Sequence, residues 1–197
     1  MSAAPSATAE AEAQLRALSA LATEAATELA AQVAALAALV ESTLRGGGKL
    51  LFCGNGGSAA EAQHLASEYV VKFTRERAPM AAIALTTDTS ALTACANDYG
   101  FERVFERQVR ALARPGDLLI LHSTSGESEN VLRAADAARE TGVATAALLA
   151  RGGGRLRDRV DLALVVPTSC TARAQEIHLA VGHVICDLVE RALQEEA

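Results

Sequence analysis

Asp117-Leu-Leu-Ile-Leu-His122-Ser123-Thr-Ser-Gly-Glu-Ser128 is an apolar run that ends abruptly in hydroxyls. Such a run reads as a strand buried on both faces, and the pattern that follows, from Asn130 to Arg139, is helical. A strand, turn and helix of this kind belong to an open α/β sheet, which binds ligands beyond the carboxyl ends of its strands. The hydroxyls of Ser123, Thr124, Ser125 and Ser128, with the N–H groups and dipole of a helix start, suit a dianion, and phosphate is the natural one. An ordinary N-cap needs one hydroxyl. Four point to a ligand loop.

Working outward, the same alternation repeats. A helical region from about Ala9 to Leu44 carries Leu15, Leu18, Leu21, Leu29, Val33, Leu36 and Val40 at helical spacings, and Gly46-Gly47-Gly48 stops it. Strands are expected at Lys49–Cys53, Met80–Leu85, Asp117–His122, Val143–Ala150 and Asp161–Val166. Helices are expected at Ala59–Phe73, Thr86–Asn97, Phe101–Ala113, Glu129–Glu140 and Arg173–Glu195. Alternating strands and helices imply a parallel sheet covered on both faces. No linker or internal repeat divides the chain, so residues 1–197 read as one domain: 1–8 flexible, 9–44 the N-terminal helical region, and 49–197 an α/β core with its C-terminal helix.

Composition narrows the function. The 197 residues are 50% hydrophobic but only 3% aromatic, with no tryptophan and a net charge of −6. That argues against a nucleic-acid surface. Arg151, Arg155, Arg157 and Arg159 form a basic cluster, diluted by Asp158 and Asp161 and read as a solvated loop face. An alanine-rich core implies closely packed helices and extensive helix contact between subunits. Cys53, Cys95, Cys170 and Cys186 form no CxxC pair and read as small core residues of a reducing compartment. No signal peptide is legible. Arg16, Glu24, Glu28, Gln32 and Glu41 interrupt the one long alanine-rich stretch, so neither membrane nor export is expected. The expected location is the cytoplasm.

A second loop, Cys53-Gly-Asn-Gly-Gly-Ser58, also passes from strand to helix, and its glycines permit close backbone approach to a ligand. It lacks both the Walker and the Rossmann spacing, which disfavours a nucleotide. A phosphorylated small molecule fits the two loops better. The helix after it carries His64 and Glu68 at i and i+4, on one face. The final helix carries Gln175 and His183 with Leu179 between them. Imidazole, carboxylate and amide oxygen suit zinc or a similar divalent ion. Equally, His64 and Glu68 could be a solvent-exposed pair and His183 a core histidine. His122 and His178 read as structural.

Together, Cys53-Gly-Asn-Gly-Gly-Ser58, His64-x-x-x-Glu68, Asn97-Asp-Tyr-Gly100, Ser123-Thr-Ser-Gly-x-Ser128 and Gln175-Glu-Ile-His178 with His183 resemble the sugar isomerase (SIS) domain family, over about Leu15 to Leu193. Within it they are most similar to the members that convert sedoheptulose 7-phosphate to D-glycero-D-manno-heptose 7-phosphate. The resemblance implies an aldose–ketose isomerase: a three-layer α/β/α sandwich with a five-stranded parallel sheet, long terminal helices, a homotetramer, and active sites lined by more than one subunit. It makes Ser123, Thr124, Ser125 and Ser128 the phosphate cradle, and has Asn55, Gly56, Gly57 and Ser58 line the sugar pocket. It assigns substrate hydroxyls to Asn97 and Asp98, with further substrate contacts from Glu68 and Gln175. His64, Glu68, Gln175 and His183 match the family's zinc ligands, one ion per site, and Glu68 and His183 its acid/base groups. Family members often have an aspartate just before the Gln-Glu motif, and Thr168–Ala174 has none. Other members are isomerases of other sugar phosphates, sugar-phosphate sensors, or non-enzymatic tetramers that bind the replication initiator protein. The complete His64, Glu68, Gln175 and His183 set favours the enzyme.

Overall fold

The computed structural model describes residues 6–194. Its chain runs α1 (Ala7–Arg45), β1 (Leu50–Gly54), α2 (Gly57–Val70), β2 (Ala82–Ala84), α3 (Thr89–Tyr99), α4 (Val104–Leu112), β3 (Leu118–Ser123), α5 (Glu129–Glu140), β4 (Ala144–Leu149), β5 (Leu162–Val165) and α6 (Thr171–Gln194). All five strands are parallel, in the order β2-β1-β3-β4-β5.

The central strands are buried on both faces, which is why they read as unbroken apolar runs. Alternate residues divide between two cores. Leu50, Phe52, Leu118, Ile120 and Leu148 face α1, α2 and α6. Leu51, Cys53, Leu119, Leu121 and Leu149 face the layer of α3, α4 and α5. The sheet is therefore the middle of three layers, as expected.

Helix α1 is unbroken, and its buried stripe of Leu21, Ala25, Leu29, Val33, Leu36 and Val40 repeats every three to four residues. It packs on α6 and β5. Leu15, expected on that stripe, is 68% exposed, because the first turns extend past the body of the molecule. By length and composition α1 could cross a membrane; alanine supplies most of that apolarity. The expected flexible stretch 1–8 is corrected in part. Ser6 accepts the N–H of Ala9 and caps a helix that includes Ala7 and Thr8, while residues 1–5 lie outside the described residues.

Candidate active site at the carboxyl edge of the sheet

In the order β2-β1-β3-β4-β5, the chain reverses its winding direction between β1 and β3, and the two loops singled out in the sequence leave those two strands side by side. This is the switch point where open α/β sheets bind ligands. A cleft of about 300 Å³ lies there, lined by Asn55, Gly56, Gly57, Ser58, His122, Ser123, Thr124, Ser125, Ser128, Thr171 and Gln175. Eight residues assigned to cradle or pocket thus share one wall: Asn55, Gly56, Gly57, Ser58, Ser123, Thr124, Ser125 and Ser128.

The local geometry explains each loop. Gly56 is the N-cap of α2 at φ +56°, a left-handed conformation that glycine adopts without strain. A Cβ on Gly57 would run into the Gln175 side chain, so the α2 N-terminus is bare where α6 approaches. The Gln175 amide lies 3.5 Å from the hydroxyl of the buried Ser58. Asn55 and Asn130 exchange reciprocal amide hydrogen bonds of 2.9 and 2.8 Å, tying the loop after β1 to the start of α5. Asn130 was not singled out in the sequence. The sequence offers only an asparagine in the first turn of an otherwise ordinary helix; its burial comes from the fold.

Ser128 occupies the N-cap position of α5, but its side chain caps nothing. Ser123 accepts the N–H of Gly126 and Ser125 that of Glu127, which shapes the turn. The hydroxyls of Ser128 and Thr124 remain available to a ligand, beside free N–H groups at a helix N-terminus. The turn is braced from outside by Arg155, which donates through its backbone N–H and Nε to the two carboxylate oxygens of Glu127 at 2.8 and 2.7 Å. Arg159 binds Asp136 at 2.7 Å. Arg151 binds the carbonyl of Ser169 and the hydroxyl of Thr171. The arginine cluster is largely exposed, as expected of a solvated face, and within it Arg155 fastens the cradle turn and Arg151 the start of α6.

Further along α2 and α6, three side chains converge. His64 Nε2 lies 2.9 Å from His183 Nε2 and 3.3 Å from Glu68 Oε1. The His183 ring packs against Phe73 with centroids 5.2 Å apart. His183 is half-buried and His64 exposed, so neither is a core histidine. Two imidazole nitrogens and a carboxylate oxygen within reach of one point fit zinc by donor chemistry. Gln175 stands two turns of α6 earlier, about 12 Å along the axis from His183, where its amide borders the cleft.

Asn97 and Asp98 are elsewhere. They hydrogen-bond to each other on exposed α3, and Asp98 borders a different depression with Tyr99 and Arg107. Cys170 is exposed beside Thr171, whereas Cys53, Cys95 and Cys186 are buried as expected.

A second group was missed. Glu61, His122 and His178 also bring ligand atoms together, fully inside the protein. His122 and His178, expected to be structural, are buried, and no sequence pattern singles out Glu61. Burial would raise the Glu61 carboxyl, but hydrogen bonds and charge from His122 and His178 outweigh it and hold the group below the usual range. Burial pushes the His122 imidazole down, only partly opposed by Glu61.

This architecture is matched by sequence: the profile of the SIS domain covers residues 15–150, and the chain belongs to the SIS domain family. Within the family it is 60% identical over 161 residues, 82% of each chain, to the phosphoheptose isomerase of Roseiflexus sp. strain RS-1. The solved phosphoheptose isomerase of Neisseria gonorrhoeae superposes with a TM-score of 0.90 at 43% identity, covering 94% of this chain and 100% of that one. That of Francisella tularensis gives 0.91 at 36% identity, covering 95% and 100%.

Proposed function

We infer that this chain is an aldose–ketose isomerase that converts sedoheptulose 7-phosphate to D-glycero-D-manno-heptose 7-phosphate. The observation that carries this is the reach between the two halves of the site. Along α2, His64 lies seven residues, about 10 Å, beyond Gly57 at the cleft. An extended chain advances about 1.3 Å per bond, so the eight bonds from C1 to phosphorus of a heptose 7-phosphate cover about 10 Å. With the phosphate on Thr124 and Ser128, a chain of that length would be long enough to bring C1 and C2 toward Glu68 and His183.

In the proposed reaction Glu68 removes a proton from C1 of the open-chain ketose while His183 donates a proton to O2, giving the enediol. His183 then takes the proton from O1 as the C1 carbonyl forms, and Glu68 returns its proton to C2. The phosphate cradle orients the reacting carbons without taking part in bond making. His64, Glu68 and His183 would hold a divalent ion, with zinc matching the donor set, whose Lewis acidity would favour negative charge on the sugar oxygens; Gln175, expected as a fourth ligand, borders the cleft two turns away instead. A carboxylate committed to an ion is a weaker base, so Glu68 serves as base when it is loosely held.

The protein works as a cytoplasmic homotetramer in this reading. An apolar trough of about 300 Å³ along α1 and α6, including Ala26, Ala30, Ala180 and the half-exposed Val184, supports helix packing between subunits. Asn97 and Asp98, remote from the cleft of their own chain, would reach the substrate of a neighbour. Incubation of the purified protein with sedoheptulose 7-phosphate should yield the heptose 7-phosphate. Absence of that product, with folded tetramer in hand, overturns the assignment.

A further inference from the structure

The buried Glu61, His122 and His178 occupy a central place. Glu61 sits on α2 one turn before His64, His178 on α6 between Gln175 and His183, and His122 on β3 directly before Ser123 of the cradle. Whatever holds these three together fixes all the parts of the site relative to one another.

Four of the six buried side-chain atoms without a hydrogen-bond partner among the described residues belong to this group: Glu61 Oε2, His122 Nδ1, His122 Nε2 and His178 Nδ1. Three of them face each other. Glu61 Oε2 lies 3.3 Å from His122 Nδ1 and 3.8 Å from His178 Nδ1. The fourth, His122 Nε2, belongs to a ring that lines the cleft.

The tautomer of His178 is set by its other nitrogen. Nε2 lies 3.0 Å from the carbonyl oxygen of Leu149, which can only accept, so Nε2 carries the proton. In the tautomer that this bond selects, the lone pair of Nδ1 is turned toward a carboxylate oxygen. Two acceptors facing each other in the interior need a cation between them. A backbone carbonyl fixing the far N–H is also how proteins orient a metal-binding histidine.

We propose that Glu61, His122 and His178 form a second divalent-metal site, separate from the His64, Glu68 and His183 group. Ligand atoms about 2.1 Å from a tetrahedral zinc stand about 3.4 Å from one another, near the two separations found here. Two imidazoles and one carboxylate select a borderline ion such as Zn²⁺ or Co²⁺ over Mg²⁺ or Ca²⁺, which take oxygen ligands. The ion would clasp β3, α2 and α6 beneath the cleft and so hold the cradle in register with His64 and His183.

The test removes the outer group. The full chain carrying His64→Ala and His183→Ala is stripped with chelator, reloaded with Co²⁺, desalted, and analysed for metal content and visible absorption. About one cobalt per chain with a tetrahedral spectrum is expected, and adding His178→Gln should abolish both while the far-UV circular dichroism is kept. No retained cobalt in the double variant overturns the proposal and leaves His178 holding a proton in place of the ion. Cobalt surviving His178→Gln overturns it as well. If His178→Gln does not fold, the cobalt content and spectrum of the double variant decide alone. The readout involves no turnover, so it stands apart from the isomerase assignment.

Discussion

Helices α2 and α6 contribute to two histidine–glutamate groups barely one turn apart, with the same residue types in both. His64, Glu68 and His183 lie open or half-open, with His64 and Glu68 on one helix face and His183 across from them. Glu61, His122 and His178 are enclosed, and each comes from a different element. Exposure suits the first group to exchange protons with a substrate. Enclosure suits the second to hold a fixed charge arrangement. Burial, more than residue type, separates the two roles, because an unpaired charge is cheap in water and costly inside.

The comparison breaks most readily at Glu68. Glu68→Gln keeps the size and removes the proposed base, and kcat should fall by about 10² to 10⁴ with KM little changed. Retention of more than a tenth of the activity would remove Glu68 from the role of base.

Glu190 is a buried carboxylate of the satisfied kind and sharpens the contrast with Glu61. It accepts N–H groups of Phe73, Thr74 and Arg75 and the guanidinium of Arg77. Burial would raise its carboxyl, but these donors prevail and hold it below the usual range. Its stabilising contribution is therefore complete above the ordinary carboxylate pKa and is lost as pH falls through the lowered one. Glu190→Ala should cost about 3–5 kcal/mol at neutral pH by stranding Arg77. The gap from the unaltered chain should close in acid below about pH 4, as measured by denaturant unfolding across pH. A gap that does not change with pH would contradict this account.

At the cradle, Ser128→Ala should raise KM about tenfold, the scale of a lost hydrogen bond to a charged group. It should leave the melting temperature unchanged, because this hydroxyl caps no helix. A lowered melting temperature with unchanged KM would make Ser128 an ordinary cap. The smallest effect concerns the thiols. Burial pushes Cys53 and Cys186 up to about 12 and Cys95 is enclosed, so iodoacetamide should modify Cys170 alone in the native protein, as counted by mass spectrometry. Labelling of a second cysteine would mean that the core opens.

Much of this was legible beforehand. The limits expected for α5 coincide with those found, since Ser128 before it and Gly142 after it bound a clear helical pattern. Strand β2 is shorter than expected, Ala82–Ala84 against Met80–Leu85, because this edge strand pairs only with Leu50–Phe52 of β1. The i, i+4 spacing brought out His64 and Glu68. Glu61 escaped the same reading, since its partners lie 61 and 117 residues away and no periodicity connects them.

The amino-acid sequence by itself determined the alternation of buried strands and helices, the hydroxyl turn after β3 and the glycine turn after β1, because these depend on neighbours a few residues apart. Only the tertiary structure decided that β1 and β3 pair, so that the two turns make one cleft. It also decided that Asn55 meets Asn130, and that Glu61, His122 and His178 share a point in the core. Those meetings depend on which strands pair and which faces pack, and they are fixed by burial and hydrogen bonding across the whole molecule.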